Sequence, residues 1–254
     1  MKLLINQYIN YTFILFILLS SPVIPQSSDL EKFGDYGESI LKTSTRFNNN
    51  DLLNYGIVAG STLLAYNFDE DVNNFFKKNR TPILNPLLEF NKYSVYAVFA
   101  SAGALYLHGS IYDNAKNKDL GLKLGSALIY STLVNQALKM LTGRERPTIT
   151  DNNSNFHFFR TAWDETSFPS GHSTAGFAFA SVMALSTDND LEKGLYWTVA
   201  GLMAFERLYN SHHWLSDVVL GSAIGYFTGS LIATKNPENP VGTTIPVFVI
   251  NYRF

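Results

Sequence analysis

The sequence predicts an all-α protein, with a six-helix bundle core, an N-terminal signal segment and a short strand-like tail at the C-terminus. Apolar residues make up 46% of the 254 residues, and charged residues make up only 16%. A charged fraction of about 25% is usual, so much of this chain is buried, either in itself or in lipid. The apolar residues also gather in long blocks, which are separated by clusters of Gly, Asn, Asp and Lys that are typical of turns.

Residues 1–26 are interpreted as an export signal. Lys2 is followed by an apolar run, Phe13–Leu19, and then by Ser, Pro and Gln, which is the order found in signal peptides. The run is shorter than the roughly 20 residues of a membrane span. An uncleaved anchor is the alternative, because the sequence shows no clear A-x-A cleavage site. Residues 27–50 are polar and are predicted to be a linker.

The core helices are predicted from apolar blocks within residues 51–235, which we interpret as one domain. The blocks lie at about 51–67, 92–108, 119–141, 171–187, 191–209 and 213–234. Lys123 interrupts the third block and the clean apolar runs are short. Buried helices of a soluble bundle, or short helices lying partly in lipid, therefore fit as well as true membrane spans. In the tail, 236–254, Pro237 and Pro240 stop the last helix, and alternating apolar residues then predict a strand.

Charge and cysteine content exclude several classes of protein. The formal net charge is −2, which gives no indication of nucleic-acid binding. The chain has no cysteine, so it has no disulfide, no cysteine-ligated metal site and no lipoprotein anchor.

Three short clusters hold the residues that suggest chemistry. They are KMLTGRERP with Lys139 and Arg146, PSGH with Ser170, Gly171 and His172, and RLYNSHHWLSD with Arg207, His213 and Asp217. Taken singly, each cluster has a plain structural explanation, such as a solvated helix end or a helix cap. Each cluster, however, lies at the end of a predicted helix. If consecutive helices run antiparallel, as short connections favour, all three clusters meet at one end of the bundle.

Gathered there, three cations repel one another unless an anion lies between them, and a phosphoryl group is the obvious anion. The backbone N–H groups of Gly171 and His172 open the fourth predicted helix, and a helix N-terminus attracts phosphate. His213 and Asp217 are four residues apart, so on one helix they face the same way and the carboxylate can fix the tautomer of the imidazole. His212 misses this spacing and is interpreted as a structural or supporting residue.

The chain contains, in this order, the motifs K-x6-RP, PSGH and R-x5-H-x3-D. They resemble the motifs of the type 2 phosphatidic acid phosphatase superfamily. That superfamily also includes class A bacterial acid phosphatases and vanadium haloperoxidases. The resemblance covers roughly residues 51–235, which it implies to be a phosphatase domain. It implies a metal-independent phosphatase without a cofactor, which hydrolyses phosphomonoesters or lipid (pyro)phosphates through a phosphohistidine intermediate.

The resemblance also implies a role for each motif residue. The phosphate-binding residues it implies are Lys139, Arg146, Ser170, Gly171 and Arg207. His172 is expected to protonate the leaving oxygen, His213 to attack phosphorus, and Asp217 to orient His213. The chain departs from the family at Glu206, where a serine usually precedes the third-motif arginine. A carboxylate at this position is expected to pair with a neighbouring cation and to weaken phosphate binding.

Two alternatives belong to other functional classes. A vanadate-dependent haloperoxidase would hold vanadate at the same residues with His213 as its ligand, but those enzymes are usually much longer. A non-catalytic lipid-phosphate-binding protein would be expected to have degraded motifs.

The expected partner is a phosphorylated lipid or a small phosphomonoester, with membrane association and no nucleic acid. The predicted signal places the protein in the periplasm or cell envelope. The aromatic stretch FHFFRTAW, residues 156–163, lies at the predicted active end. It either holds an acyl chain or closes the bundle, and the sequence leaves both interpretations open.

Overall fold

A computed structural model of the chain describes residues 27–45 and 49–235. The α-helices of these residues are α1 Ser27–Ser44, α2 Asn49–Asn67, α3 Asp69–Lys78, α4 Asn85–Glu89, α5 Ser94–Ile111, α6 Ala115–Thr142, α7 Gly171–Leu185, α8 Asp190–Tyr209 and α9 Leu215–Thr234. The all-α prediction is confirmed, since these ranges contain no sheet and only an isolated bridge between Arg144 and Phe156. The predicted signal segment and the strand-like tail lie outside the described residues and stay predictions.

The six predicted core helices correspond to α2 and α5–α9. Residues 27–44 differ from the prediction, because they form a helix and not an extended linker. Phe33, Tyr36 and Ile40 recur at helical spacing; Phe33 stacks on Tyr130, with ring centroids 4.8 Å apart, while Tyr36 and Ile40 reach the core. Polar composition hid this apolar face, so the helix could not be recognised from the sequence.

A second helix lies where the sequence predicted a break. The segment 69–78 forms α3, which has acidic residues in its first turn and lysines in its last turn, an order that favours a helix through its dipole. Asp69, the first residue of α3, is fully buried. The break between the first two predicted helices therefore brings a carboxylate into the protein interior.

Side-chain caps fix the starts of the helices that lead to the motifs. Asn114, Ser170 and Asn189 cap α6, α7 and α8, and each accepts a hydrogen bond from a first-turn backbone N–H at 3.0–3.5 Å. Helix α6 ends at Gly143, whose φ of 57° lies in the left-handed region that favours glycine. A Cβ there would overlap the carbonyl oxygen of His157. The first motif thus leaves α6 in one fixed direction.

Helices α7 and α9 approach each other through three glycines of α9, Gly221, Gly225 and Gly229, which we call the glycine seam. A Cβ at any of them would overlap a backbone carbonyl oxygen of α7 or of Ser170, the residue that caps it. At the end of this contact, the backbone N–H of Ser170 donates to the carbonyl oxygen of Asp217 at 2.8 Å. The separation between the second and third motifs is therefore set by backbone contact.

The core lies between α5, α6, α7 and α9, and α8 completes it. Its most deeply buried side chains include Leu124, Leu128, Val182, Met203 and Ile232. Among the described helices, α9 alone has the length and apolar composition that a membrane crossing needs, although 56% of that window is buried within the protein, as in the core helix of a soluble protein. Other large apolar side chains are exposed, and four of them form one face of α8: Leu191, Leu195, Val199 and Leu202.

Candidate active site

The three motifs meet at one end of the bundle, as antiparallel helices predicted. Lys139 lies in the last turn of α6, and Arg207 lies in the last turn of α8. Ser170 caps α7, and His213 lies just before α9. Side chains from all three motifs contact one another or the same loop.

His213 lies outside the helix on which the sequence analysis placed it. Helix α9 begins two residues later, at Leu215. Ser211, at φ 55°, turns the chain, and the backbone N–H groups of His212 and His213 both donate to the carbonyl oxygen of Arg207, at 2.9 and 3.2 Å. The helical argument for the histidine–aspartate pair was therefore wrong, because this turn separates α8 from α9.

The pair forms nonetheless, because Asp217 belongs to the first turn of α9 and its side chain turns back. Its Oδ2 accepts the backbone N–H of Trp214 at 2.9 Å and lies 3.4 Å from Nδ1 of His213. On the other side of the ring, Nη1 of Arg146 lies 3.1 Å from Nε2. Arginine can only donate, so Nε2 accepts and the ring proton is assigned to Nδ1. Burial, followed by the charge of Arg146, holds the pKa of His213 well below its usual value, so its ring is neutral at pH 7.

Two of the three predicted phosphate-binding cations are held by one loop. Nζ of Lys139 donates to the carbonyl oxygens of Thr166 and Ser167, at 2.5 and 3.1 Å. Nε of Arg146 donates to the carbonyl oxygen of Trp163 at 2.8 Å, and the Trp163 ring centroid lies 4.1 Å from the guanidinium carbon. Burial lowers the pKa of both cations, for Arg146 to about 10. Carbonyl oxygens carry only partial charge, so an anion would stabilise these buried cations further.

The third cation, Arg207, already has a carboxylate partner. Nε and Nη2 of Arg207 both donate to Oε2 of Glu206, which is 2% exposed. Asn91 and Asn210 donate to the same carboxylate at 2.8 and 2.7 Å. Burial raises the pKa of Glu206, but His212, whose Nδ1 lies 3.5 Å from Oε1, and the charge of Arg207 bring it down to about 2. The ion pair expected from the sequence is therefore present and ionised.

His172 lies in the first turn of α7, beside Arg207. Its Nδ1 is 3.4 Å from Nη1 of Arg207, and within the described part of the chain its Nε2 is buried without a hydrogen-bond partner. Burial, followed by the charge of Arg207, lowers the pKa of His172 to about 3. The ring is thus neutral here, and only the approach of negative charge would favour its protonated form.

Ser170 has a different place from the other predicted phosphate-binding residues. It is fully buried, its Oγ caps α7, and its backbone N–H is bonded to Asp217. Gly171 and His172 follow as the first residues of α7, and N–H groups at such positions have no partner within the helix. The backbone N–H groups of Gly171 and His172 are therefore the groups of the second motif that can bind an anion. Ser170 holds the start of α7 in place beside them.

Sequence reasoning missed three residues that surround the histidine–aspartate pair. Arg144 is fully buried and donates to Asp217 and Asp69, each at 2.6 Å, while Oγ of Ser167 donates to Oδ2 of Asp217 at 2.5 Å. Arg144 lies within the first motif, and Ser167 lies two residues before the second. Their closeness to the motifs was the available signal. Asp69 lies 75 residues before Arg144, so no local spacing indicates it.

Comparison with known proteins supports the sequence resemblance. The family model described as PAP2 superfamily matches residues 120–240. The lipid A 1-phosphatase of Porphyromonas gingivalis is 36% identical to this chain over 67 residues. That segment is 26% of this chain and 15% of the relative, so the chain matches a small part of that protein's length.

Two solved structures resemble the chain at low TM-scores. Aquifex aeolicus LpxE shares 25% identity at a TM-score of 0.49, covering 65% of this chain and 94% of that one. The first transmembrane PAP2 type phosphatidylglycerolphosphate phosphatase from Bacillus subtilis shares 20% identity at a TM-score of 0.38, covering 87% and 91%.

Proposed function

We propose that the chain is a phosphoric-ester hydrolase acting on a phosphorylated lipid, since residues 120–240 match the PAP2 superfamily model. The observation that carries the proposal is the convergence at one end of the bundle of Lys139 and Arg146 beside a neutral His213, with Arg207 beside His172. Buried cations stabilise the charge that develops on a transferred phosphoryl group, and a neutral imidazole with a fixed tautomer is a nucleophile.

In the proposed reaction, Nε2 of His213 attacks phosphorus while the bond from phosphorus to the leaving oxygen breaks. His172 gives its proton to that oxygen, and Asp217 stabilises the positive charge that forms on His213. Water then attacks the phosphohistidine and gives a proton to His172, while the bond from phosphorus to Nε2 breaks. This step releases phosphate and restores both histidines to their starting states. The cations face the equatorial oxygens, where the transition state concentrates its charge.

A lipid substrate is supported by the surface at the active end. Phe158 and Phe159 are 68% and 78% exposed, and they belong to the loop that also holds Trp163 against Arg146. Side chains that closed the bundle would be buried, so this exposure favours contact with acyl chains. The exposed apolar face of α8 supports membrane association, and the similarity to a lipid A 1-phosphatase of Porphyromonas gingivalis supports a lipid phosphate. The periplasm or cell envelope remains the predicted location.

We expect the purified full-length protein, in detergent, to release phosphate from phosphatidic acid or lipid A faster than from p-nitrophenyl phosphate. Full activity should survive EDTA, because three cations can neutralise the phosphoryl charge without a metal ion. Phosphate release is measured before and after chelation, and the His213→Ala variant serves as the background. Absence of hydrolysis with every substrate would contradict the proposed function. Loss on chelation that Mg²⁺ restores would contradict only its metal independence.

We also expect Glu206→Gln to bind phosphate and vanadate more tightly than the unchanged protein. The amide keeps an acceptor for Arg207 and removes the charge that competes with a phosphoryl anion for that guanidinium. A hydrogen bond to a charged group is worth about 1.5–3 kcal/mol, so an improvement of about tenfold is expected.

The measurement is the inhibition constant of each anion. Glu145→Gln is the matched control, because Glu145 is also hydrogen-bonded, to Asn155 and His157 at 2.9 and 3.0 Å, and does not pair with Arg207. Weaker anion binding by Glu206→Gln would show that Glu206 helps Arg207 to bind phosphate.

A further inference from the structure

Buried charges continue from the proposed nucleophile into the interior of the protein. Oδ1 of Asp217 accepts from Nη1 of Arg144 at 2.6 Å, and Oδ2 of Asp69 accepts from Nη2 of the same guanidinium at 2.6 Å. The side chains of all three residues are 0% exposed. Asp69 belongs to none of the three motifs, and its partners link it directly to them.

Asp69 is held in place by the first turn of α9. The backbone N–H of Ser216 donates to its Oδ1 at 2.8 Å, and Oγ of Ser216 donates to its Oδ2 at 2.7 Å. Asp69 thus ties α3 to the same turn of α9 that carries Asp217. Apolar side chains of similar volume are often as stable as a buried ion triad, or more stable, so this triad suggests a role beyond holding the fold together.

The geometry of Arg144 indicates that role. A guanidinium can bind a carboxylate through two parallel N–H bonds, and an arginine freed from Asp69 could bind both oxygens of Asp217 in this way. In the structure Arg144 is shared: it also donates to Asp69, to Oγ of Ser216 and to the carbonyl oxygen of Asn153. Of the two oxygens of Asp217, it donates only to Oδ1. Oδ2 remains for the N–H of Trp214, for Ser167 and for Nδ1 of His213.

We infer that Asp69 is a positioning residue for the proposed nucleophile: it holds Arg144 so that Asp217 keeps one oxygen for His213. This inference rests on the proposed phosphatase function. Asp69 touches no reacting atom. Burial raises the pKa of its carboxyl group, and the charge of Arg144 acts against that rise. In its ionised form Asp69 also balances the charge of Arg144, so that the group of Asp69, Arg144 and Asp217 keeps a net negative charge beside the imidazole.

The test is Asp69→Asn in the full-length protein. We expect kcat to fall by about 10–100-fold, which is the range seen when a residue that orients a metal ligand is replaced. KM should change little, because the phosphate-binding cations are not altered. The acidic limb of kcat/KM should also move to lower pH. Loss of a negative charge makes protonation of His213 less favourable, whereas the other charged groups that act on that ring, Asp217, Arg146 and Lys139, are the same in both proteins.

The matched control is Asp29→Asn, which makes the same substitution at a buried carboxylate far from the site. Asp29 is 5% exposed and its Oδ2 lies 2.9 Å from Nζ of Lys118. We expect this variant to lose thermal stability without a shift of the acidic limb. Equal losses of kcat in the two variants with unchanged limbs would overturn the inference, because they would indicate a purely structural role for Asp69.

Arg144→Lys keeps the inference testable if Asp69→Asn does not fold. Lysine retains the charge, but its single ammonium lacks the fork that reaches both carboxylates, so kcat should again fall by at least about tenfold. A kcat equal to that of the unchanged protein in either variant would overturn the inference. The proposed function would still stand in that case, provided that the unchanged protein hydrolyses phosphate esters and His213→Ala does not.

Discussion

Replacement of His213 by Ala is expected to abolish turnover, whereas replacement of His212 by Ala should leave most of it. Loss of a nucleophile costs on the order of 10⁶-fold in kcat, because only binding and charge stabilisation remain. His212 is adjacent in the chain, but its Nδ1 lies 3.5 Å from Glu206 and its side chain is 32% exposed. It is therefore a matched control for substitution within the same turn.

The measurement combines steady-state rates with detection of the intermediate. After acid-free quenching, protein incubated with a phosphate-labelled substrate should carry label on histidine, and His213→Ala should carry none. Thermal unfolding of both variants excludes a general loss of folding. Equal losses of turnover in the two variants would contradict the assignment of His213 as the nucleophile.

Replacement of His172 by Ala is expected to lower the hydrolysis of lipid and alkyl phosphates by roughly 10²–10⁴-fold, the range for general acid catalysis. Hydrolysis of p-nitrophenyl phosphate should fall much less, because its leaving group departs without a proton. The variant therefore separates two roles for His172, as proton donor and as phosphate ligand.

His172 can act as an acid only when substrate is bound, and its surroundings in the structure explain why. With a pKa of about 3, the ring is neutral at pH 7, and its Nδ1 faces Nη1 of Arg207. A bound phosphoryl dianion would draw the guanidinium of Arg207 away from His172. Its negative charge would also stabilise the buried imidazolium of His172. Both changes raise the pKa of His172.

The experiment compares alkyl and aryl phosphates in His172→Ala and in His157→Ala. The second variant removes a histidine whose side chain is 42% exposed and which bonds to Glu145, so its rates should match those of the unchanged protein for both substrates. If His172→Ala slows both substrate types equally, the proton-donor role is wrong.

The core helices could be predicted from the sequence because their apolar blocks are long and are separated by turn residues. The motif residues could be predicted as a group, since each lies within a few residues of a helix end and antiparallel packing gathers those ends. The turn at Ser211 could not, because a left-handed φ at serine is set by the packing of two helices and not by local preference. Asp69 could not either, since its contacts with Arg144 and Ser216 exist only after α3 folds against the start of α9.

The glycine seam separates the choice of substrate from the chemistry performed on it. The N–H groups of Gly171 and His172 lie at a fixed distance from the turn that carries His213, because the backbones of α7 and α9 are in contact. This distance does not depend on the rotamer of any side chain. The exposed part of the loop, with Phe158 and Phe159, can accordingly change to suit another head group or acyl chain, whereas residues 163–167, which hold Lys139 and Arg146, keep their place. A side chain introduced at Gly225, by contrast, would push α7 and α9 apart. It would then slow the reaction of every substrate to the same extent.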